Sequence, residues 1–371
     1  MIRALLLWFG TLFFMTASSQ EYYMLTGTYT GGKSRGIYVH AFNSRNGSLR
    51  LVDSAVTVNP SYLAVSPGGE FVYSVNETGK NEGGGKVTAF RLDSKTGKLQ
   101  ELNTRSSMGD HPCYVTIDKT GKWLIVGNYS SGTAAVLPIH TDGSLGEQVS
   151  FVQHKGSGVN KKRQESAHIH ATVLSADNRF LYVPDLGTDQ LVVYGFDDIT
   201  GKLERRDDLV IRQEAGSGPR HFEFHPNNEW AYLLNELSGK VTVFKNNNGR
   251  LETIQDISAL PKGFNQPFTS ADIHVSPNGR LLYASNRDSS NTIAIFRINN
   301  KTGKLKWVGH QSTLGKTPRN FNFDPTGRFL LVANQNSDSV VVFKINRKTG
   351  QLTDTGNRAE IGKPVCIKWS Y

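Results

Sequence analysis

Seven stretches of this chain superimpose on the Gly/Asn-rich turn that follows each of them. At one shared position they carry Ser61, Cys113, His170, Arg220, Ala271, Arg319 and Val365. Four of these side chains are small or apolar, and the other three are an imidazole and two guanidiniums. A guanidinium grips carboxylate or phosphate through its bidentate fork and polarises a carbonyl. An imidazole beside it moves a proton near neutral pH. A second set lies where the next apolar run of each stretch ends: Asn76-Glu77, Asn128, Asp185, Asn235-Glu236, Asn286-Arg287 and Asn334-Gln335. Asn and Asp at such ends also hold turns by bonding nearby backbone. Glu77, Glu236, Arg287 and Gln335 differ from copy to copy, which a repeated structural role would not require. The alternative for Arg220, Arg287 and Glu236 is an ion pair between repeats; for His170 it is a satisfied core histidine.

Other chemistries find little support. No Ser or Cys sits in a nucleophile motif such as G-x-S-x-G. His168 and His170 are two apart, but no His/Cys cluster has zinc spacing. Asn and acidic groups around a channel would suit Ca²⁺, but the basic residues beside them argue against it. No metal and no cofactor are expected.

The elements that must position these residues are written in the punctuation. A turn Gly followed within two residues by Leu recurs at Gly47, Gly97, Gly143, Gly201, Gly249, Gly303 and Gly350, with spacings of 46 to 58 residues. A second turn, out of phase with it, begins at Ser66, Asp118, Ser175, His225, Ser276 and Asp324. A period of this size means one supersecondary unit used repeatedly. Each unit holds four short runs rich in Val, Ile, Phe and Tyr; in the fifth they are 220–225, 230–235, 240–244 and 251–257. Partial alternation and Gly/Asn/Asp/Pro turns mark them as antiparallel strands. No amphipathic helix of more than about three turns appears after residue 20. The expected fold is therefore all-β, a seven-bladed β-propeller of four-stranded antiparallel blades. The second turn has one copy fewer than the first, and residues 363–369 form a spare strand, so the C-terminal strand should join blade one and close the ring. A solenoid would instead need capping repeats.

Arg3, the apolar run 4–15 and Ala17-Ser18-Ser19 read as a secretory signal over 1–19, leaving a single propeller domain over 20–371. The apolar run is too short for a comfortable membrane span. Export to the periplasm or the extracellular space follows, with no stable membrane insertion after cleavage. Cys113 and Cys366 fall in non-neighbouring blades, so they are expected to be buried thiols and not a disulfide. The net charge of +10 suits an anionic small molecule. No basic stripe interleaved with aromatics points to nucleic acid, and a monomer is expected.

The stretch G-S-G-V-N-K-K-R-Q-E-S-A-H-I-H-A-T-V-L-S-A-D-N-R-F-L-Y-V-P-D-L-G-T-D from Gly156 resembles the seven-bladed propeller lactonase family, which includes propeller-type 6-phosphogluconolactonases and the fungal carboxy-muconate lactonizing enzyme. G-P-R-H-F-E-F-H-P from Gly218, L-N-E-L from Leu234, Y-A-S-N-R from Tyr283, N-Y-S-S-G-T-A-A-V-L-P-I from Asn128 and T-P-R-N from Thr317 resemble it too, so the likeness covers 21–371. Ala167 stands where the family often has Pro before H-x-H. The resemblance implies lactone hydrolysis, with His170, Glu236, Arg220 and Arg287 as the catalytic set. Arg319, His221, Asn128, Asp185 and Arg163 are candidate contacts to an anionic lactone. Arg220 and Arg287 would hold the lactone carbonyl and the anionic group, and His170 or Glu236 would activate water. Replacing His170 or Glu236 should then cost turnover and little stability. A non-catalytic propeller binding carbohydrate or protein, and a muconate-type cycloisomerase, are the alternatives.

Overall fold

The computed structural model describes residues 21–370. The expected signal segment lies outside them. The described residues form seven sheets arranged as the blades of a propeller, with three short 3₁₀ turns and no α-helix. Blade five runs Pro219–Phe224, Trp230–Asn235, Lys240–Asn247 and Arg250–Ser258, close to the four runs read from the sequence. Blade one is built from both ends of the chain. Pro364–Ser370 pairs with Glu21–Thr28, followed by Gly36–Asn43 and Leu49–Val56. Met24 faces Trp369 and Gly27 faces Cys366 across that closing ladder. Asn320 of blade seven accepts from the Ile367 backbone N–H at 2.7 Å, tying the last blade to the first. Both cysteines are free and buried.

The recurring glycine has a packing role as well as a turn role. All seven adopt positive φ, a region that glycine enters without steric cost. Each also presses against a large side chain of the preceding blade. A Cβ on Gly201 would sit 2.7 Å from the Trp123 ring; one on Gly97 would sit 2.7 Å from Tyr23. Gly47 meets Phe329 of blade seven in the same way at 3.0 Å, so the repeat contact also runs across the ring closure. The blades thus interlock through a side chain that is absent. Gly201→Ala should combine left-handed backbone strain with overpacking and lower stability by about 2–4 kcal/mol. A denaturation midpoint equal to that of the parent would show that the blades absorb the methyl.

Blade four departs from the pattern where it delivers His170. Its inner strand keeps only Val173–Leu174, and Ile169 touches the sheet through a single bridge to Asp185. Pro184 of the neighbouring strand has no N–H to offer, so the ladder there is one-sided: the Pro184 carbonyl accepts from the His170 N–H at 3.0 Å. In blades one, three, five, six and seven the register of the inner strand slips at the shared position. The slip passes over Cys113, Arg220, Arg319 and Val365, and over Ala271-Asp272 in blade six. A bulge leaves its residue out of the pairing and re-aims the side chain. Repetition of that bulge in five of the seven blades turns those column positions toward the channel.

Candidate functional site

At this end of the channel lies a cavity of about 470 Å³, lined by Glu77, Cys113, Tyr129, Arg163, His170, Glu236, Thr269, Arg287, Asp288 and Arg319. A cavity of about 540 Å³ opens at the opposite end. Between them the channel is plugged by Tyr62 stacked on Tyr114 at 4.1 Å, both edge-on to His221.

Glu236 is the hub. Its Oε2 accepts from Arg220 Nε at 2.8 Å and lies 3.2 Å from Arg287 Nη2 and 3.9 Å from His170 Nε2. Its Oε1 accepts from Arg163 Nη2 at 2.5 Å. Burial alone would raise its pKa, but Arg287, Arg220 and Arg163 outweigh it and hold the carboxyl at about 2. A carboxylate so stabilised keeps its charge throughout the neutral range.

His170 is the reverse case. Burial, followed by the charges of Arg220, His221 and Arg319, pushes its pKa well below the ordinary histidine value, so the ring is neutral. Neither ring nitrogen has a close partner: Nδ1 lies 3.8 Å from Cys113 Sγ, and Nε2 faces Glu236. The Cys113 thiol is itself pushed up, chiefly by burial, and stays protonated.

The R-Q-E-x-x-H-x-H motif has a part-by-part explanation. Arg163 reaches the cavity. Gln164 is fully buried and ties its loop to the Leu186 carbonyl at 2.9 Å and Asp189 at 2.8 Å. Glu165 pairs with His168 Nε2 at 3.1 Å, and the His168 ring stacks on Tyr129 at 4.3 Å. That stack holds the segment that presents His170.

Arg319 stands apart from the other cations. Its guanidinium lies 5.3 Å over the Tyr29 ring and finds no hydrogen-bond partner among the described residues. Tyr29 instead donates to Glu77 at 2.9 Å, and Ser61 also bonds Glu77. Arg287 likewise keeps a buried Nε without a partner. Both side chains carry donors that the protein leaves open.

Four expected residues sit elsewhere or do something else. Arg220 is 2% exposed and lies behind the wall, bonded to Glu236, to the Ala271 carbonyl and to His221. Its Nε and Nη1 are engaged by these groups, and the residue is not part of the cavity lining. His221 is one layer deeper still. Asn128 is fully buried, with Nδ2 on the Ser107 carbonyl at 2.8 Å and Thr133 at 3.0 Å. Asp185 is also fully buried, bonded to His154 at 2.8 Å and to the backbone N–H groups of His168, Gly187 and Thr188. Both do the strand-end work that Asn and Asp do generally. The structure adds Tyr129, Glu77, Cys113, Thr269 and Asp288 to the lining. Glu77 had a signal, since it follows Asn76 as Glu236 follows Asn235. Cys113 was expected only as a core filler.

Among the described residues no group of three or more His, Cys, Asp or Glu is placed to hold a metal ion, and no helix is long and apolar enough to cross a membrane.

The chain is similar to known proteins in sequence and in fold. The family model described as lactonase, 7-bladed beta-propeller, matches residues 23–369. A 6-phosphogluconolactonase of Formosa agariphila is 40% identical over 318 residues, covering 85% of this chain and 90% of the relative. One of Bacillus subtilis is 35% identical over 354 residues, covering 95% and 99%. The solved structure of a Pseudomonas aeruginosa periplasmic gluconolactonase superimposes with a TM-score of 0.91 at 38% identity, covering 95% of this chain and 99% of that one.

Proposed function

The chain belongs to the seven-bladed β-propeller lactonase family, and from that premise we propose that it hydrolyses an anionic aldonolactone by metal-independent attack of water. The observation that carries the reading is a neutral, unpartnered imidazole held against a carboxylate fixed by three arginines, in one cavity with open guanidinium donors. His170 takes a proton from water as the hydroxyl oxygen bonds to the lactone carbonyl carbon. Glu236, 3.9 Å away, steadies the imidazolium that forms. Arg287 faces the negative charge that develops on the carbonyl oxygen. When the ring C–O bond breaks, the imidazolium returns its proton to the departing oxygen, and the product is a hydroxy acid. Arg319 holds the substrate's anionic group.

The acidic lining narrows the substrate class. Glu77 and Asp288 are acceptors for ring hydroxyls, which an aldonolactone has in number. A muconate-type diacid has none to offer and would meet two carboxylates. The export expected from residues 1–19 would accord with the reading, since one relative is periplasmic by name.

The test is a pH-stat assay on gluconolactone, its 6-phosphate and a muconolactone, with and without EDTA. Acid release from the aldonolactones, unchanged by EDTA and absent with muconolactone, is expected. No acid release from any of them would leave a binding propeller in its place. Loss with EDTA that Ca²⁺ restores would overturn the metal-free route. Arg319→Ala should raise KM roughly 10- to 100-fold, the worth of a charged hydrogen bond, with a smaller change in kcat.

A further inference from the structure

Behind the cavity wall a chain of side chains runs through the channel plug toward the opposite mouth. Glu236 Oε2 accepts from Arg220 Nε at 2.8 Å, and Arg220 Nη1 lies 3.2 Å from His221 Nε2. His221 Nδ1 lies 2.6 Å from Asp272 Oδ1, and His274 Nε2 lies 3.1 Å from Asp272 Oδ2. His274 Nδ1 then lies 2.6 Å from Glu223 Oε2, which borders the far cavity. Asp272 is 1% exposed, and the Asn320 amide at 2.5 Å and the Phe321 N–H at 3.2 Å hold its second oxygen.

Donor and acceptor chemistry fixes the protons along this chain. A guanidinium only donates. His221 Nε2 must therefore accept from Arg220, and its proton must sit on Nδ1, facing Asp272. The opposite tautomer would aim an N–H at Arg220 and leave Asp272 without its donor. An imidazolium would do the first of these and add like-charge repulsion. From this geometry we infer that Asp272 is a positioning residue: by fixing the tautomer of His221 it keeps an acceptor behind Arg220, and so sets where Arg220 holds Glu236 beneath His170. Burial, with Arg220 second, keeps the His221 pKa down at about 4, in keeping with a neutral ring. The charged and titratable groups packed on that ring are Arg220, Asp272, His170, Tyr62 and Tyr114. At the far end Asp272 and Glu223 overcome the effect of burial and raise His274 to about 10, so an imidazolium caps the chain and keeps Asp272 ionised.

The inference rests on the lactonase reading only for its kinetic arm. The direct arm is ¹⁵N–¹H NMR of histidine-labelled protein, with no substrate. Wild type should show His221 with a protonated Nδ1 and a bare Nε2 across neutral pH. D272N should shift that population. A wild-type His221 carrying its proton on Nε2, or doubly protonated at neutral pH, overturns the inference whatever the protein's activity. In the kinetic arm, D272N and H221L should lower kcat roughly 10- to 100-fold, as loss of an outer orienting partner does, with KM nearly unchanged. H221Q keeps an acceptor near the Nε2 position and should recover most of that loss. H221Q and H221L that are folded and equally impaired would show that His221 is filler and sink the proposal. If wild type opens no lactone, the lactonase reading fails while the NMR result still decides this one.

Discussion

His170→Ala should lower kcat by roughly 10²- to 10⁴-fold, the range for loss of a positioned acid or base. It should leave the melting temperature almost where it was. The ring lines a cavity, so water fills the space that the substitution opens, and the one strong bond of the residue, from its N–H to the Pro184 carbonyl, belongs to the backbone. The pH profile carries the mechanistic content. A free histidine near pH 6.5 would give an acid limb there. His170 is held neutral far below that, first by burial and then by Arg220, His221 and Arg319, so kcat should stay flat through the ordinary histidine range and fall only in more acid solution. Stability follows the same sign. A base whose folded pKa is depressed resists protonation in the folded state, so the fold loses stability as pH falls below the unfolded histidine value. The alanine variant is relieved of that loss and should lose less stability on acidification than the parent. An acid limb of kcat near pH 6.5, or a variant that melts early yet turns over normally, would remove His170 from the chemistry.

The architecture was legible because its signals are local. Turn glycines announce themselves within three or four residues, and one turn copy fewer than the other, with a spare C-terminal strand, is enough to infer how the ring closes. The column at Cys113, His170, Arg220 and Arg319 was legible for the same reason: it is counted from a turn. The bulge that aims the column into the channel was not legible, because a register slip is a relation between two strands. Depth was equally hidden. Arg220 and Arg319 occupy the same column position, yet Arg220 is locked to Glu236 behind the wall while Arg319 lies open over Tyr29. What separates them is a residue just past the end of another strand, Glu236 in one case and Tyr29 in the other. Asn128 and Asp185 were ambiguous in the sequence for a different reason. A strand-end amide or carboxylate reads alike whether it bonds a ligand or the neighbouring loop, and here the loop takes it.

Glu236→Gln should cost both turnover and stability, which changes the expectation drawn from the sequence. The carboxylate is 3% exposed and faces Arg163, Arg220 and Arg287. Those guanidiniums stay charged when it is neutralised. The burial that lowers Arg287 to about 10 leaves it a cation at neutral pH. Removing one partner of a buried pair leaves the others uncompensated and typically costs about 3–5 kcal/mol. Arg220, only 2% exposed, bears much of this penalty. The loss should depend on pH with a definite sign. A carboxyl held at about 2 in the fold and near 4.5 when unfolded contributes stability that is complete above the unfolded value and is lost as pH falls toward the folded one. Parent and variant should therefore differ most in denaturation midpoint near neutrality and converge toward pH 2–3. Turnover should fall by at least the roughly 10²-fold expected for losing the charge that supports the His170 imidazolium. A Glu236→Gln protein as stable as the parent at pH 7 would mean that the three arginines find other acceptors, and Glu236 would no longer be the hub on which the rest of the site is built.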